Sequence, residues 1–391
     1  MYQVFNTPSK VIITCNKRLS AYLEREVLDL GFKPIRVFPT GVELKASLND
    51  CIRLNLNLRC ASQVLYRLQD FTATNPDELH QKLVKMEWEK LIDFSGYFSV
   101  TSNVDNATIT TPLFANLKVK DAIVDRIKEI HKIRPDSGSD YSKAVIHLYW
   151  KNDKAEIFID SSGETLAKHS YRKIPGRAPM LEALASGTIY ATGWDQKSNF
   201  VNPMCGSGTL AIEAALIATK RAPGLLRMNY GFMHILGYDE EAFFAERKIL
   251  KDQVKPIDFK IVATDISEDA VDISIKNAKT AGVDQLIDFS VCDFADTKIP
   301  EGKGVVMFNP EYGERLGVHA KLEATYKRMG DFMKQNCKGY NGYIFTGNPD
   351  LAKKIGLRAS RRVEFYNGKL DCRLLEYELY DGSKREKPVE A

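Results

Sequence analysis

Asn199-Phe200-Val201-Asn202, the small-residue run Pro203-Met204-Cys205-Gly206-Ser207-Gly208-Thr209 and the helix-forming stretch Leu210–Ala218 form one continuous signal. A short buried strand, a glycine turn and a helix start, in that order, build the crevice of a parallel α/β sheet. Glycines let the backbone approach a ligand closely, and free N–H groups at a helix start hold negative charge. A Gly-x-Gly also serves as a plain connector, so the strands that follow decide its meaning. Phe259–Thr264 leads into Asp265, a carboxylate able to accept hydrogen bonds from ribose hydroxyls. Nicotinamide folds place that acid roughly 20 residues after the glycines. Here an insertion from about Ala222 to Asp258 intervenes, and the third glycine of the dinucleotide fingerprint is absent. Both points argue against hydride transfer. The insertion holds Tyr230, Phe232, Tyr238, Phe243 and Phe244, and is expected to pack as its own small helical cap.

Two more strand ends carry chemistry. Ile287–Cys292 runs into Asp293-Phe294, where a carboxylate can meet an adenine amine and a ring can pack on its face. The apolar run Gly304–Phe308 is followed by Asn309-Pro310-Glu311-Tyr312-Gly313. Asn-Pro dipeptides commonly begin turns. The Asn309 side-chain carbonyl and the Pro310 backbone carbonyl are also adjacent acceptors, with the flat face of Tyr312 beside them. An exocyclic amine on a planar base needs that set. Each acid alone is more often a helix cap or a solvated loop residue. Four strand ends in this order make a coherent pocket.

The rest of the chain fits a soluble protein of two or three domains: 391 residues, 44% hydrophobic and 27% charged. No apolar run approaches the ~20 residues that span a bilayer. The opening Met1–Asn6 lacks an export pattern, and seven cysteines without a Cys-x-x-Cys suit a reducing cytoplasm. Neither cysteines nor histidines cluster, so no metal is expected. A net charge of +4 permits a nucleic-acid partner without requiring one. Lys168, Tyr171, Arg172, Lys173 and Arg177 form a basic segment with an aromatic and few compensating acids. Lys118–Lys132 interleaves bases with acids and reads equally as a solvated helix face.

Periodicity divides the chain. Residues 1–50 read as a ferredoxin-like α+β unit, with a strand at Lys10–Cys15, a helix from Leu19 to Leu30 stopped by Gly31, and two short strands around Thr40-Gly41. Residues 51–160 continue with strand and helix patterns, including an amphipathic helix at Val119–His131 and a hairpin across Asn152-Asp153. Residues 161–177 read as a linker. From 178 to 381, beginning with a helix at Ala178–Thr192, strands and helices alternate as in a parallel sheet covered on both faces. A C-terminal hairpin around Asn367-Gly368 adds an antiparallel edge, and 382–391 is expected to fray.

These features resemble the bacterial guanine-N2 RNA methyltransferases that place a THUMP domain before a Rossmann-like S-adenosylmethionine domain. The likeness spans nearly the whole chain. Its most specific pieces are Pro203–Thr209 with Ile212-Glu213-Ala214-Ala215, and Asn309 to Leu316; Ala222–Leu225 and Ala178-Pro179-Met180 with Glu182 are also similar. The resemblance implies S-adenosylmethionine as cofactor and structured RNA as substrate, gripped by a THUMP unit over roughly 50–160. Cys205, Gly206, Ser207 and Gly208 would hold the amino-acid end of the cofactor, with Asn202 and Glu182 near its ammonium. Asp265 would hold the ribose and Asp293 with Phe294 the adenine, with Ile266 also among the cofactor contacts. Asn309 and Pro310 would orient the target amine and Tyr312 would stack on the base, with Arg315 among the RNA contacts. Two positions depart from the family pattern: Asn202 stands where an acid is usual, and Glu311 where a second proline is usual.

The reading is therefore methylation of a guanine N2 in RNA, foremost 23S ribosomal RNA. The same reaction on transfer RNA, methylation of a protein glutamine amide, and a non-catalytic RNA-binding assembly factor stay open. Oligomeric state is not addressed by the sequence.

Overall fold

The structure, a computed structural model, describes residues 4–109, 111–174, 179–312 and 319–379. In chain order the first elements are β1 (Ser9–Cys15), α1 (Ser20–Asp29), β2 (Arg36–Phe38), β3 (Gly41–Ala46), α2 (Leu48–Asn57) and β4 (Ala61–Thr72). They are followed by α3 (Pro76–Leu83), β5 (Tyr97–Asp105), α4 (Pro112–His131), β6 (Asp136–Gly138), β7 (Ala144–Lys151) and β8 (Lys154–Asp160). Then come α5 (Glu182–Thr192), β9 (Asn199–Pro203), α6 (Thr209–Ala218), α7 (Glu240–Asp252), β10 (Ile261–Asp265), α8 (Glu268–Ala281) and β11 (Ile287–Val291). The chain closes with β12 (Gly304–Phe308), α9 (His319–Asn336), β13 (Tyr340–Thr346), α10 (Pro349–Lys354), β14 (Arg361–Asn367) and β15 (Leu370–Glu378).

The chain divides into two units. One comprises Met1–Asn16, Leu23–Ala167 and Pro223–Asp252; the other comprises Lys17–Tyr22, Lys168–Ala222 and Gln253–Ala391. In the first, eight strands form one mixed sheet in the order β2-β3-β1-β4-β8-β7-β5-β6. The long strand β4 pairs with β1 through its first half and with β8 through its second, so one sheet takes strands from both sides of residue 50. Local chemistry sets the helix starts. Ser47 and Asp50 close a reciprocal capping box on α2, and the Asn75 side chain accepts from the Asp77 and Glu78 amides at 3.1 and 3.0 Å ahead of Pro76. Helix α4 begins at Pro112, seven residues before the expected Val119, because that proline sits at its first turn.

The insertion does not fold as a separate cap. Arg227 donates to the Ser162, Glu164 and Asn229 carbonyls at 2.7, 2.9 and 2.7 Å, and Arg247 to the Gly224 and Leu225 carbonyls at 2.7 and 3.0 Å. Tyr230, Phe232 and Phe243 pack together as buried rings. A Cβ on Gly231 would lie 2.2 Å from the Asp160 carbonyl oxygen, and one on Gly224 2.4 Å from the Leu56 Cα. This segment therefore lies against β8 and α2 by backbone-to-backbone contact. Its aromatic count foretold a small core but not whose core it joins.

In the second unit seven strands run β11-β10-β9-β12-β13-β15-β14. The first five are parallel neighbours, and β15 with β14 forms the antiparallel hairpin at the edge. The chain moves outward from β9 to β11, then crosses back to β12 on the other side of β9. In open α/β sheets that reversal is where ligands bind, outside the carboxyl ends of the strands. Helix α6 is buried at all ten positions, so it needs the apolar sequence that it has. Phe308, Met329, Phe332, Met333 and Ile344 form the core between β12, β13 and α9.

Because Gly231 has no room for a methyl group, Gly231→Ala is expected to destabilise the protein by about 1–3 kcal/mol. Denaturant unfolding checks this; an unchanged midpoint would show that the insertion is not seated on β8 as described.

Candidate active site

The glycine turn is backbone fixed from several sides. Met204, Gly206 and Gly208 have φ of 58°, 56° and 81°. At Gly208 a Cβ would also approach Ser274 Oγ to 2.9 Å, so glycine is required there on two counts. The Cys205 amide donates to the Thr264 carbonyl at 2.9 Å and the Gly206 amide to Asp265 Oδ2 at 3.0 Å. From α8, Ser274 Oγ donates to the Gly206 carbonyl at 2.8 Å and Asn277 Nδ2 to the Ser207 carbonyl at 3.2 Å. Asp265 Oδ1 accepts from the Ser267 amide at 3.0 Å, which settles the carboxylate between the glycine turn and the start of α8. Burial pushes the Cys205 thiol up to about 12, despite a contact with Ser274 that acts the other way.

Among the described residues, the space over Gly206 is open. A Cβ on Gly206 would meet no described atom within 4 Å. Ile266 and Val291, at the tips of β10 and β11, are 73% and 51% exposed, an apolar ledge beside Asp265. Asn202, at the tip of β9, is 1% exposed. Its Nδ2 donates to the Met307 carbonyl at 2.9 Å, while its Oδ1 is buried with no hydrogen-bond partner among the described residues. Such an orphaned acceptor carries a desolvation penalty that a ligand N–H would relieve. Glu182, at the start of α5, is also buried; burial raises its pKa, and Arg172 at 3.4 Å opposes that shift.

Asp293 and Phe294 divide their roles. Asp293 Oδ1 accepts from the Ala295 amide at 2.9 Å and from Arg328 at 2.7 Å. Burial pushes its pKa up, but these two donors outweigh it and hold the carboxyl below the usual range. The Phe294 ring is buried, edge-on to Phe308 and Phe332, with the Arg328 guanidinium 4.9 Å from its centroid.

Past the end of β12, Tyr312 donates its hydroxyl hydrogen to Asn309 Oδ1 at 2.6 Å. Asn348 Nδ2 donates to the Tyr312 carbonyl at 3.1 Å, and Tyr326 Oη to the Glu311 carbonyl at 3.3 Å. The Tyr312 ring leans on Phe345, and burial drives its pKa far upward, so the hydroxyl is a neutral donor. Pro310 is buried and Glu311 exposed. Gly313 to Leu316, including Arg315, lie outside the described residues, as do Arg177 and Ala178.

The basic segment is more internal than its composition suggests. Lys168 and Lys173 are exposed, but Tyr171 is fully buried. Arg172 donates to the Met180 carbonyl at 2.6 Å and to Thr209 Oγ1 at 2.9 Å, and the Lys173 amide to Asn277 Oδ1 at 3.2 Å. His169 Nδ1 lies 2.8 Å from Glu213 Oε1 in a pair without solvent exposure. Part of the segment expected to be a linker thus braces the glycine turn.

Ser274, Asn277, Arg328, Tyr326 and Asn348 were not singled out from the sequence. Ser274 and Asn277 fall on the buried stripe of α8 with Val271, Ala278 and Ala281, and a polar residue on an apolar stripe is a readable signal. Asn348-Pro349 repeats, after β13, the Asn-Pro that follows β12.

The chain is similar to several known proteins. The family description "RMKL-like, methyltransferase domain" (UPF0020) matches residues 169–376. An RlmL ferredoxin-like domain matches residues 10–65 and a THUMP domain residues 73–160. The ribosomal RNA large subunit methyltransferase K/L of Syntrophotalea carbinolica is 33% identical over 96% of this chain and 54% of its own length. The protein of that name from Psychromonas ingrahamii is 34% identical over 93% and 49%. The chain therefore spans about half the length of these curated relatives. The structure of SMU.472 complexed with SAH superposes with a TM-score of 0.86 at 26% identity, covering 97% of this chain and all of that one. A Listeria monocytogenes protein predicted to be an N6-adenine-specific DNA methylase gives a TM-score of 0.85 at 28% identity, covering 97% and 98%. Among the described residues no helix is long and apolar enough to cross a membrane, and no cluster of three His, Cys, Asp or Glu side chains could hold a metal.

With its thiol buried and its pKa near 12, Cys205 is expected to resist iodoacetamide at pH 8 in the native protein, while the half-exposed Cys292 is labelled first. Mass spectrometry of the labelled peptides checks this, and rapid native labelling of Cys205 would show that the turn is looser than described.

Proposed function

The chain belongs to the RMKL-like methyltransferase family, UPF0020, and from that premise we propose that it methylates the exocyclic N2 of a guanine in large-subunit ribosomal RNA, with S-adenosylmethionine as donor. The observation that carries the proposal is the side-by-side placement of the glycine turn after β9 and Asn309-Pro310-x-Tyr312 after β12. The THUMP match and the ribosomal RNA named for the curated relatives favour RNA as the substrate.

The residues present fit the cofactor. The orphaned Asn202 Oδ1 would accept from its ammonium, the Gly206–Gly208 backbone would run beside its amino-acid end, Asp265 would accept from the ribose, and Ile266 with Asp293 would border the adenine. When bound, S-adenosylmethionine supplies an electrophilic methyl group on a sulfonium.

The chain's own task is to make a poor nucleophile reactive. The guanine amine lone pair is delocalised into the ring. Asn309 Oδ1 and the Pro310 carbonyl, accepting its two N–H bonds, would turn that lone pair out of the ring plane. The effect is orientation and electrostatics, and needs no strong base. A paired guanine cannot reach such acceptors, so it must leave its stack. Stacking on the Tyr312 ring would offset part of the few kcal/mol this costs.

The same two acceptors would suit an adenine amine, the target in the name of the Listeria relative. Nucleoside analysis of RNA methylated by the protein separates the two: N2-methylguanosine is expected, and N6-methyladenosine would replace the guanine reading. Asn309→Ala is expected to lower methyl transfer about 100-fold or more while leaving cofactor affinity within about twofold. Retained turnover would remove Asn309 from the reaction. Asp265→Ala should weaken S-adenosylhomocysteine binding about tenfold, read by calorimetry, because it deletes a charged acceptor; unchanged affinity would displace the ribose contact.

A further inference from the structure

The turn proposed to orient the target amine is held from outside as well as from within. Its Glu311 and Tyr312 carbonyls accept hydrogen bonds from two side chains outside it, Tyr326 on α9 and Asn348 after β13. Asn348 is the more telling. Its Oδ1 is committed to the start of α10, accepting from the Asp350 and Leu351 amides at 3.0 Å each. The carboxamide orientation is thereby fixed, and Nδ2 must face the Tyr312 carbonyl, which it meets at 3.1 Å. The Asn348 amide in turn donates to Thr346 Oγ1 at 3.1 Å, and Thr346 Oγ1 lies 2.9 Å from Tyr326 Oη. Asn348, Thr346 and Tyr326 thus form one connected frame behind the turn. Tyr312 passes its fixed position on to Asn309 through the 2.6 Å hydroxyl contact.

We propose that Asn348 is a positioning residue for methyl transfer, setting the Asn309–Tyr312 turn through the Tyr312 carbonyl. The inference rests on the reading of that turn as the amine-orienting element. Asn348 does not touch substrate or cofactor in this role; it fixes where the acceptors stand. A displacement near 1 Å at such acceptors lowers rates by as much as about 100-fold.

Asparagine combines two functions that substitution can separate. Aspartate caps a helix as well as asparagine does, so Asn348→Asp keeps the start of α10 but sets a carboxylate oxygen against the Tyr312 carbonyl. Alanine removes both the cap and the donor. The experiment measures kcat and KM for tritiated methyl transfer to ribosomal RNA from cells lacking the gene. Calorimetry with S-adenosylhomocysteine and thermal unfolding accompany it, on the full chain and on Asn348→Asp, Asn348→Ala and Asn309→Ala.

Asn348→Asp is expected to lower kcat about tenfold or more, with the melting temperature and cofactor affinity unchanged. Asn348→Ala should lower kcat similarly and also lose about 2–4 °C of melting temperature. Normal kcat in Asn348→Asp beside an inactive Asn309→Ala would overturn the inference and leave the function standing. In Asn348→Asp, a fall in kcat matched by lost cofactor binding or stability would also overturn it, by showing a purely structural role. An active Asn309→Ala would sink the reading of the turn, and this inference with it.

Discussion

The ladder between β9 and β12 ends one rung before the site begins. The two strands pair from Asn199 and Gly304 to Val201 and Val306, and there the reversal of strand order lets their ends part. The next carbonyl of β12, that of Met307, is taken by the Asn202 side chain at 2.9 Å. Buried backbone carbonyls need partners, and this one gets its partner from a side chain on the neighbouring strand. The carboxamide spans the line at which the turns after β9 and β12 diverge, and its other atom, Oδ1, faces no described donor. An aspartate would have to hold a proton to keep the Met307 contact. The neutral amide donates to one side and still offers an acceptor on the other.

Three of the five residues of the glycine turn from Met204 to Gly208 adopt positive φ; glycine takes it freely at 206 and 208, while Met204 is held there against its preference. Here Asp265, Ser274 and Asn277 fix successive peptide groups from two elements, while Arg172 holds Thr209 from the preceding segment. These contacts exclude alternative turn shapes. They also explain why a basic, aromatic-bearing stretch is drawn inward: Arg172 and Tyr171 belong to the brace, leaving Lys168 and Lys173 at the surface.

The parallel strands β9 to β12, the closing hairpin and the turns at the strand ends were legible because each has a short-range signature: glycines, Asn-Pro, apolar runs ending in acids; the order of the strands and β13 were not. Nor was the insertion. Tyr230, Phe232 and Phe243 announce a core, but nothing local says that Gly224 and Gly231 press on Leu56 and Asp160, far back in the chain. Phe294 shows the same limit. An aromatic after a strand-end acid reads equally as a ligand platform or as core, and its edge-on contacts with Phe308 and Phe332 come from elements distant in sequence. The exposed hydrophobics at the strand tips, Ile266 and Val291, are the apolar surface that remains beside the two acids.

On the proposed reading, the protonation states around the turn favour orientation over proton abstraction. Tyr312 is held neutral by burial, and its hydroxyl donates to Asn309, so it cannot serve as a base while that contact stands. Glu311, the carboxylate nearest in sequence, points to solvent where the family usually carries a proline. A carboxamide oxygen has two lone-pair sites; the Tyr312 hydroxyl uses one and aims the other. Donation to that oxygen lowers its basicity slightly while fixing its direction, a favourable exchange for an acceptor that has only to align an amine. A nitrogen that gains a methyl group also gains positive charge and becomes acidic enough to lose its proton to water. The chain then needs acceptors that stay in place more than it needs a base, and placement is what the Asn348, Thr346 and Tyr326 frame supplies.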